Sequence, residues 1–212
     1  MNLNILFYST IYNQRGDFVQ KREALKKRTT LETDIEIYIY LDGQQQINLD
    51  LPIPFFPHLL KSMAFYAEWD LKVKACGDVE VDNHHLVEDL GIVLGEAFRD
   101  ALGEIKNIQR YSTQFIAMDD ALSMVSVDVG GRPFLYYDVP IGSQKVGDFE
   151  VDLIEEFLRA FINNARITLH GKAWWGKNGH HILEALFKAL GKAFKEALIF
   201  SNKTIPSTKG II

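Results

Sequence analysis

VDNHHLVEDLGIVL (residues 81–94) and GKNGHHILEALFK (176–188) carry one pattern, His-His-x-x-Glu, in two halves of one chain. The first supplies His84, His85 and Glu88, the second His180, His181 and Glu184. The chain has six histidines, so these two motifs hold four of them at the same spacing from a glutamate. The pairs begin at 84 and 180, 96 positions apart. Solenoid repeats are shorter than that, so the spacing reads as a single internal duplication.

Outward from the first pair, Leu90, Leu94, Ala97 and Ala101 fall on one helical stripe, and Gly103 stands where a C-cap is expected. The second pair opens a helix running from His180 to about Leu198. Upstream, residues 33–49 alternate, with Ile35, Ile37, Ile39 and Leu41 on one face of a strand. That strand turns at Asp42-Gly43 and resumes through Ile47 and Leu49. Pro57 opens a helix over His58–Tyr66, Leu71–Ala75 is a strand, and Val79 and Val81 make a short extended piece.

The second half repeats the order: strands over Ala121–Val129 and Pro133–Val139, a helix over Leu153–Asn163, a strand over Arg166–Leu169 and a Gly-rich link from Gly171 to Gly179. The expected fold is α+β, two similar repeats, each a small mixed sheet with helices packed on one face. Repeat one covers 28–109 and repeat two 110–200, with a tail over 201–212. Residues 1–27 read as an N-terminal extension, with a short charged helix over Gln20–Arg28.

The motif suits metal binding. On a helix, positions i and i+4, or i and i+3, share a face, so Glu88 can share a cation with His84 or His85. Adjacent side chains diverge by about 100° at 3.6 residues per turn, so one pair can serve two cations. Two such helices related by a pseudo-twofold can build two mixed sites from both repeats. Imidazole with carboxylate suits divalent manganese, iron or zinc, and the carboxylates favour the harder end. His58 and Glu156 stand at matching helix starts and can complete a site. His170, at a strand end, reads as structural. The tail, with Ser207, Lys209 and a following glycine, is suited to wrapping an anion.

Composition excludes other classes. A 47% hydrophobic and 24% charged chain has a packed core, and a net charge of -5 argues against nucleic-acid binding. Cys76 is the one cysteine, which fits a cytoplasmic protein without disulfides. No apolar run reaches membrane-spanning length, and the stretch Ile5–Tyr12 reads as neither anchor nor leader.

The two quoted segments resemble the signatures of the imidazoleglycerol-phosphate dehydratase family. RTTLET (28–33), FFPHLL (55–60), MDDAL (118–122), GRP (131–133) and IPSTKG (205–210) extend the likeness from about residue 28 to the end. The resemblance implies loss of water from imidazole glycerol phosphate to give imidazole acetol phosphate, in histidine biosynthesis. It implies two manganese ions per site, an imidazolate held between them, and a large homo-oligomer of cubic symmetry with interfacial active sites. By position, the metal ligands are His58, His84, His85, Glu88, His180, His181 and Glu184. Substrate contacts are Glu32, Arg110, Arg132, Lys188, Ser207 and Lys209. Glu184 and Glu32 are the candidate acid and base. The chain departs from the family at four places. Pro57 replaces an aspartate, Glu156 a ligand histidine, and Ser62 and Tyr66 a glutamine and a histidine. A weakly active or non-catalytic metal-binding member and a dinuclear hydrolase are the alternatives.

Overall fold

Alternation at Ile35, Ile37 and Ile39 builds the central strand of the first sheet; all three are at most 1% exposed. The computed structural model describes residues 10–12, 18–201 and 205–210. Two short strands, β1 (Thr10–Tyr12) and β2 (Phe18–Gln20), form an antiparallel ribbon. Then come β3 (Glu23–Thr29), β4 (Thr33–Tyr40), β5 (Ile47–Asp50), α1 (Phe56–Ala67), β6 (Asp70–Gly77) and α2 (His84–Leu102). The second half runs β7 (Tyr111–Met118), β8 (Ala121–Asp128), β9 (Phe134–Asp138), the hairpin β10 (Lys145–Val146) and β11 (Phe149–Glu150), α3 (Leu153–Ala165), β12 (Thr168–Trp175) and α4 (Gly179–Ala197).

The duplication is visible in the topology. The sheets have orders β3-β4-β6-β5 and β7-β8-β12-β9, the same permutation twice. In each, the first two strands are antiparallel, and the third lies parallel to the last across a helix. A parallel neighbour needs such a crossover. Repeat two differs by the inserted β10–β11 hairpin.

The helices lie between the two sheets. α2 packs on β3 and β4, α4 packs on β7 and β8, and across the repeats α2 meets α3 while α1 meets α4. Small residues allow this approach. A Cβ on Gly91 would sit 2.6 Å from the Phe157 carbonyl, and one on Gly191 would sit 2.3 Å from that of Met63. The core between the sheets is aromatic, with Phe98, Phe157, Phe161 and Phe194 fully buried.

Several expectations are corrected. The charged run at 20–28 is not a helix: Glu23–Thr29 is the edge strand β3, whose lysines and glutamate keep that edge solvated. Asp42-Gly43 does not close a hairpin; β5 crosses to the far side of β6. The Asp70 carboxylate redirects the chain by accepting from the Gln44 and Gln46 amides. Val79 and Val81 lie in a turn. Much of the link after Gly171 is strand, because β12 continues to Trp175. β7 was not expected at all. The apolar run from Ile5 falls mostly outside the described residues. Among the described residues, no helix is long and apolar enough to cross a membrane.

Candidate active site

Both His-His pairs sit in the first turn of a helix, where free backbone amides are capped from the preceding loop. The Asp82 carboxylate accepts from the His84 amide at 2.8 Å, and the Asn178 side chain accepts from the His180 amide at 3.0 Å. Within each pair the rings diverge as the helical pitch requires. Their centroids are 6.2 Å apart in both, with interplanar angles of 89° and 80°.

The tightest cluster joins α1 to α4. Glu184 Oε2 lies 3.0 Å from His58 Nε2 and 3.0 Å from His180 Nε2. Its other oxygen accepts from Lys188 Nζ at 2.9 Å. Phe55 closes one side, its ring 4.9 Å from that of His180. Burial opposes ionisation of Glu184, but hydrogen bonds with His58 and Lys188 overcome it and hold the carboxyl down at about 2. It is therefore a carboxylate at neutral pH, whose lone pairs a divalent cation can use.

A second cluster gathers Glu32, Asp78 and His85. His85 Nδ1 lies 3.1 Å from Asp78 Oδ2 and 3.8 Å from Glu32 Oε2. The bond to Asp78 pushes the imidazole above its ordinary pKa. His84 Nε2 faces Glu88 Oε2 at 3.6 Å on the same helix. His181 Nδ1 bonds Asp120 Oδ1 at 2.6 Å, and its Nε2 lies 3.6 Å from Asp119 Oδ2. Bonds from His181 and from two backbone amides hold the Asp120 carboxyl well below the usual range.

The expected ligands thus fall into separate groups within one chain. His58, His180 and Glu184 come together, and His85 joins Glu32. Glu156, in the first turn of α3, stands in neither group of three among the described residues. Sequence reasoning passed over Asp78, Asp119 and Asp120. Asp119 and Asp120 lie inside the quoted MDDAL stretch, and Asp78 follows the strand that ends at Gly77.

The anionic-ligand candidates divide as well. Arg110, Arg132, Ser207 and Lys209 line one cleft with Arg99 and Arg166. Arg110 is buried, its guanidinium held by Asp128 at 2.6 Å and by the Pro206 carbonyl at 2.8 Å. Lys188 is elsewhere, beside Glu184. The Arg110 amide bonds the Ala197 carbonyl at the far end of α4. At 1.5 Å per residue, the 13 steps from Glu184 to Ala197 put the two regions roughly 20 Å apart along that helix.

Residues 52–194 match the family model for imidazoleglycerol-phosphate dehydratase. The chain belongs to that family. The imidazoleglycerol-phosphate dehydratase of Thermoanaerobacter pseudethanolicus is 52% identical over 193 residues, covering 90% of this chain and all of the relative. That of Clostridium novyi is 50% identical, covering 90% and 98%. Among solved structures, the Staphylococcus aureus imidazoleglycerol-phosphate dehydratase superposes with a TM-score of 0.77 at 36% identity, covering 84% of this chain and 99% of that one. The Pyrococcus furiosus enzyme, solved in complex with (S)-C348, gives 0.77 at 38%, covering 88% and 100%. Two of the departures from the family pattern have a structural account here. Pro57 occupies the first turn of α1, where a missing N–H costs nothing. The Tyr66 ring lies 5.9 Å from the ammonium of Lys188 and 5.8 Å from that of Lys192. Nothing in the structure explains Ser62.

Proposed function

We propose that the chain is an imidazoleglycerol-phosphate dehydratase, a hydro-lyase acting on imidazole glycerol phosphate in histidine biosynthesis. One observation carries this reading beyond family membership: Glu184 is shared at 3.0 Å between imidazoles from α1 and α4, as a cation-binding carboxylate should be. His58, His180 and Glu184 would hold one divalent cation, with His84, His85, Glu88 and His181 the remaining ligands of the pair. Manganese fits this imidazole and carboxylate set. Cations held by these residues would act as Lewis acids toward the substrate's imidazole ring and ease loss of its N–H proton.

The chain's own groups do the rest. The hydrogen to be lost from carbon is not acidic, because no carbonyl adjoins it. Loss of hydroxide from the carbon beside the ring must therefore precede loss of that proton. Glu184 and Glu32 are the groups placed to move protons. Ionised at neutral pH, Glu184 has no proton to donate and can only accept one. Arg110, Arg132, Ser207 and Lys209 suit the phosphate.

The separation along α4 bears on assembly. Bonds of about 1.5 Å keep a three-carbon phosphate ester far shorter than that helix. One chain's metal ligands and the same chain's anion cleft thus serve different substrate molecules, which supports active sites between copies; the large homo-oligomer of cubic symmetry is what the resemblance adds to this reading. The outer face of the second sheet fits burial against another copy: Phe115, Phe134, Tyr136 and Trp174 are all exposed on it. The reading divides the chain into repeats at 28–109 and 110–200 with a tail at 201–212. Of the 1–27 extension, residues 23–27 join the first sheet through β3. It places the enzyme in the cytoplasm.

The test is elemental analysis of purified protein, followed by ultraviolet detection of the enol product from imidazole glycerol phosphate. About two manganese ions per chain with turnover supports the reading. Metal without turnover favours a non-catalytic member, for which Glu156 and Tyr66 argue. Ester hydrolysis without dehydration points to a dinuclear hydrolase. Glu184→Gln should keep the fold and lower kcat at least about 10²-fold; rates like those of the unaltered enzyme would remove Glu184 from the chemistry.

A further inference from the structure

Each His-His pair is held the same way. The first histidine of each turns Nε2 toward the glutamate four residues on, at 3.6 Å for His84 and 3.0 Å for His180. The second turns Nδ1 toward an aspartate outside its helix, Asp78 for His85 at 3.1 Å and Asp120 for His181 at 2.6 Å.

In repeat two that aspartate is anchored. Its second oxygen accepts from the amides of Lys177 at 2.7 Å and Asn178 at 3.1 Å, the residues that lead into α4. Asn178 in turn caps α4 through the His180 amide. The β7–β8 turn, the entry to α4 and the His181 ring are therefore fixed on one carboxylate.

An ionised carboxylate only accepts hydrogen bonds, so the His181 nitrogen facing it must carry the ring proton. In a neutral imidazole the lone pair then sits on Nε2, which points away from Asp120. A cation can bind only the nitrogen that has the lone pair. We propose that Asp120 is a positioning residue: it fixes His181 as the Nδ1–H tautomer and leaves the lone pair for the cation on Nε2, which faces only the exposed Asp119 carboxylate at 3.6 Å, beyond hydrogen-bond distance. This rests on the metal-site reading of His181 given above.

The test separates the two. The protein is labelled with 15N in its histidines only, and His181 is assigned by loss of its signals in His181→Gln. Magic-angle-spinning NMR of the metal-free protein at pH 8 reads the tautomer. Electron paramagnetic resonance titration with Mn2+ alone reads affinity. The informative variant is Asp120→Asn. Its amide oxygen is drawn to the two backbone donors, which keeps the loop capped, and its NH2 is left facing His181. The ring must then accept at Nδ1 and carry its proton on Nε2. The expected result is a switch of His181 from Nδ1–H to Nε2–H and Mn2+ affinity weakened by roughly 10–100-fold. Asp119→Asn should leave the tautomer as it is. An unchanged His181 tautomer in Asp120→Asn overturns the proposal, and so does a switched tautomer with unchanged Mn2+ affinity. If the unaltered protein binds no Mn2+ while the tautomer still switches, Asp120 does hold the ring and the metal reading is what fails.

Discussion

Glu184 is 8% exposed and carries three close partners, so its ionisation is a property of the folded state. Its folded pKa of about 2 lies below the ordinary 4.5. A depressed carboxylate stabilises the fold above its unfolded pKa and loses that contribution as pH falls through the folded one. Metal-free protein should therefore lose stability between about pH 4.5 and 2, on the order of 3 kcal/mol at 1.36 kcal/mol per unit. Glu184→Gln lacks this titration. Urea unfolding in the presence of chelator should show the difference between the two proteins shrinking across that window. A constant difference would show that the bonds from His58 and Lys188 do not favour the charged form.

At the scale of elements, what the sequence showed and what it hid have separate causes. α2 was readable at both ends, because the His-His pair opens it and Gly103 closes it. β4 was readable because one face is buried and the other is not. β7 was hidden because both of its faces carry apolar residues: Phe115 and Tyr111 are exposed while Ile116 packs partly inward. β3 was hidden because an edge strand keeps charges on its solvent side. Of the candidate site, the helix-borne His-Glu pairs were legible from spacing, since i and i+4 meet on any helix. Asp78 and Asp120 were not, because only the fold brings a loop carboxylate to a ring. His58 likewise reaches Glu184 only where α1 and α4 close on Gly191. A Cβ there would meet the Met63 backbone, which cannot yield without moving α1. Gly191→Ala should destabilise by about 1–3 kcal/mol and weaken Mn2+ binding through displaced His58. Thermal unfolding and metal titration check both effects. Lost stability with intact metal affinity would show that the α1–α4 spacing does not set the site.

At the scale of the whole molecule, the two ends of α4 pose a question that one chain does not answer. Glu184 lies near its start, and the Arg110 amide bonds the carbonyl of Ala197 at its end, with Arg132 lining the same cleft as Arg110. If one substrate takes its metal ligands from one copy and its phosphate contacts from another, defects on different copies can complement. Glu184→Gln removes the first half-site, and Arg132→Ala weakens the second by taking away an exposed guanidinium whose loss leaves the core untouched. Each variant alone should be nearly inactive. Unfolded together in equal amounts and refolded, they assemble at random. A site drawing Glu184 from an Arg132→Ala copy and Arg132 from a Glu184→Gln copy is intact, and chance pairing makes that about a quarter of all sites. Activity should rise to about a quarter of the unaltered enzyme's, while a mixture of separately refolded variants stays inactive. If the co-refolded mixture stays inactive while the unaltered protein refolded in the same way regains activity, the two half-sites do not meet across copies and the reading of interfacial sites fails.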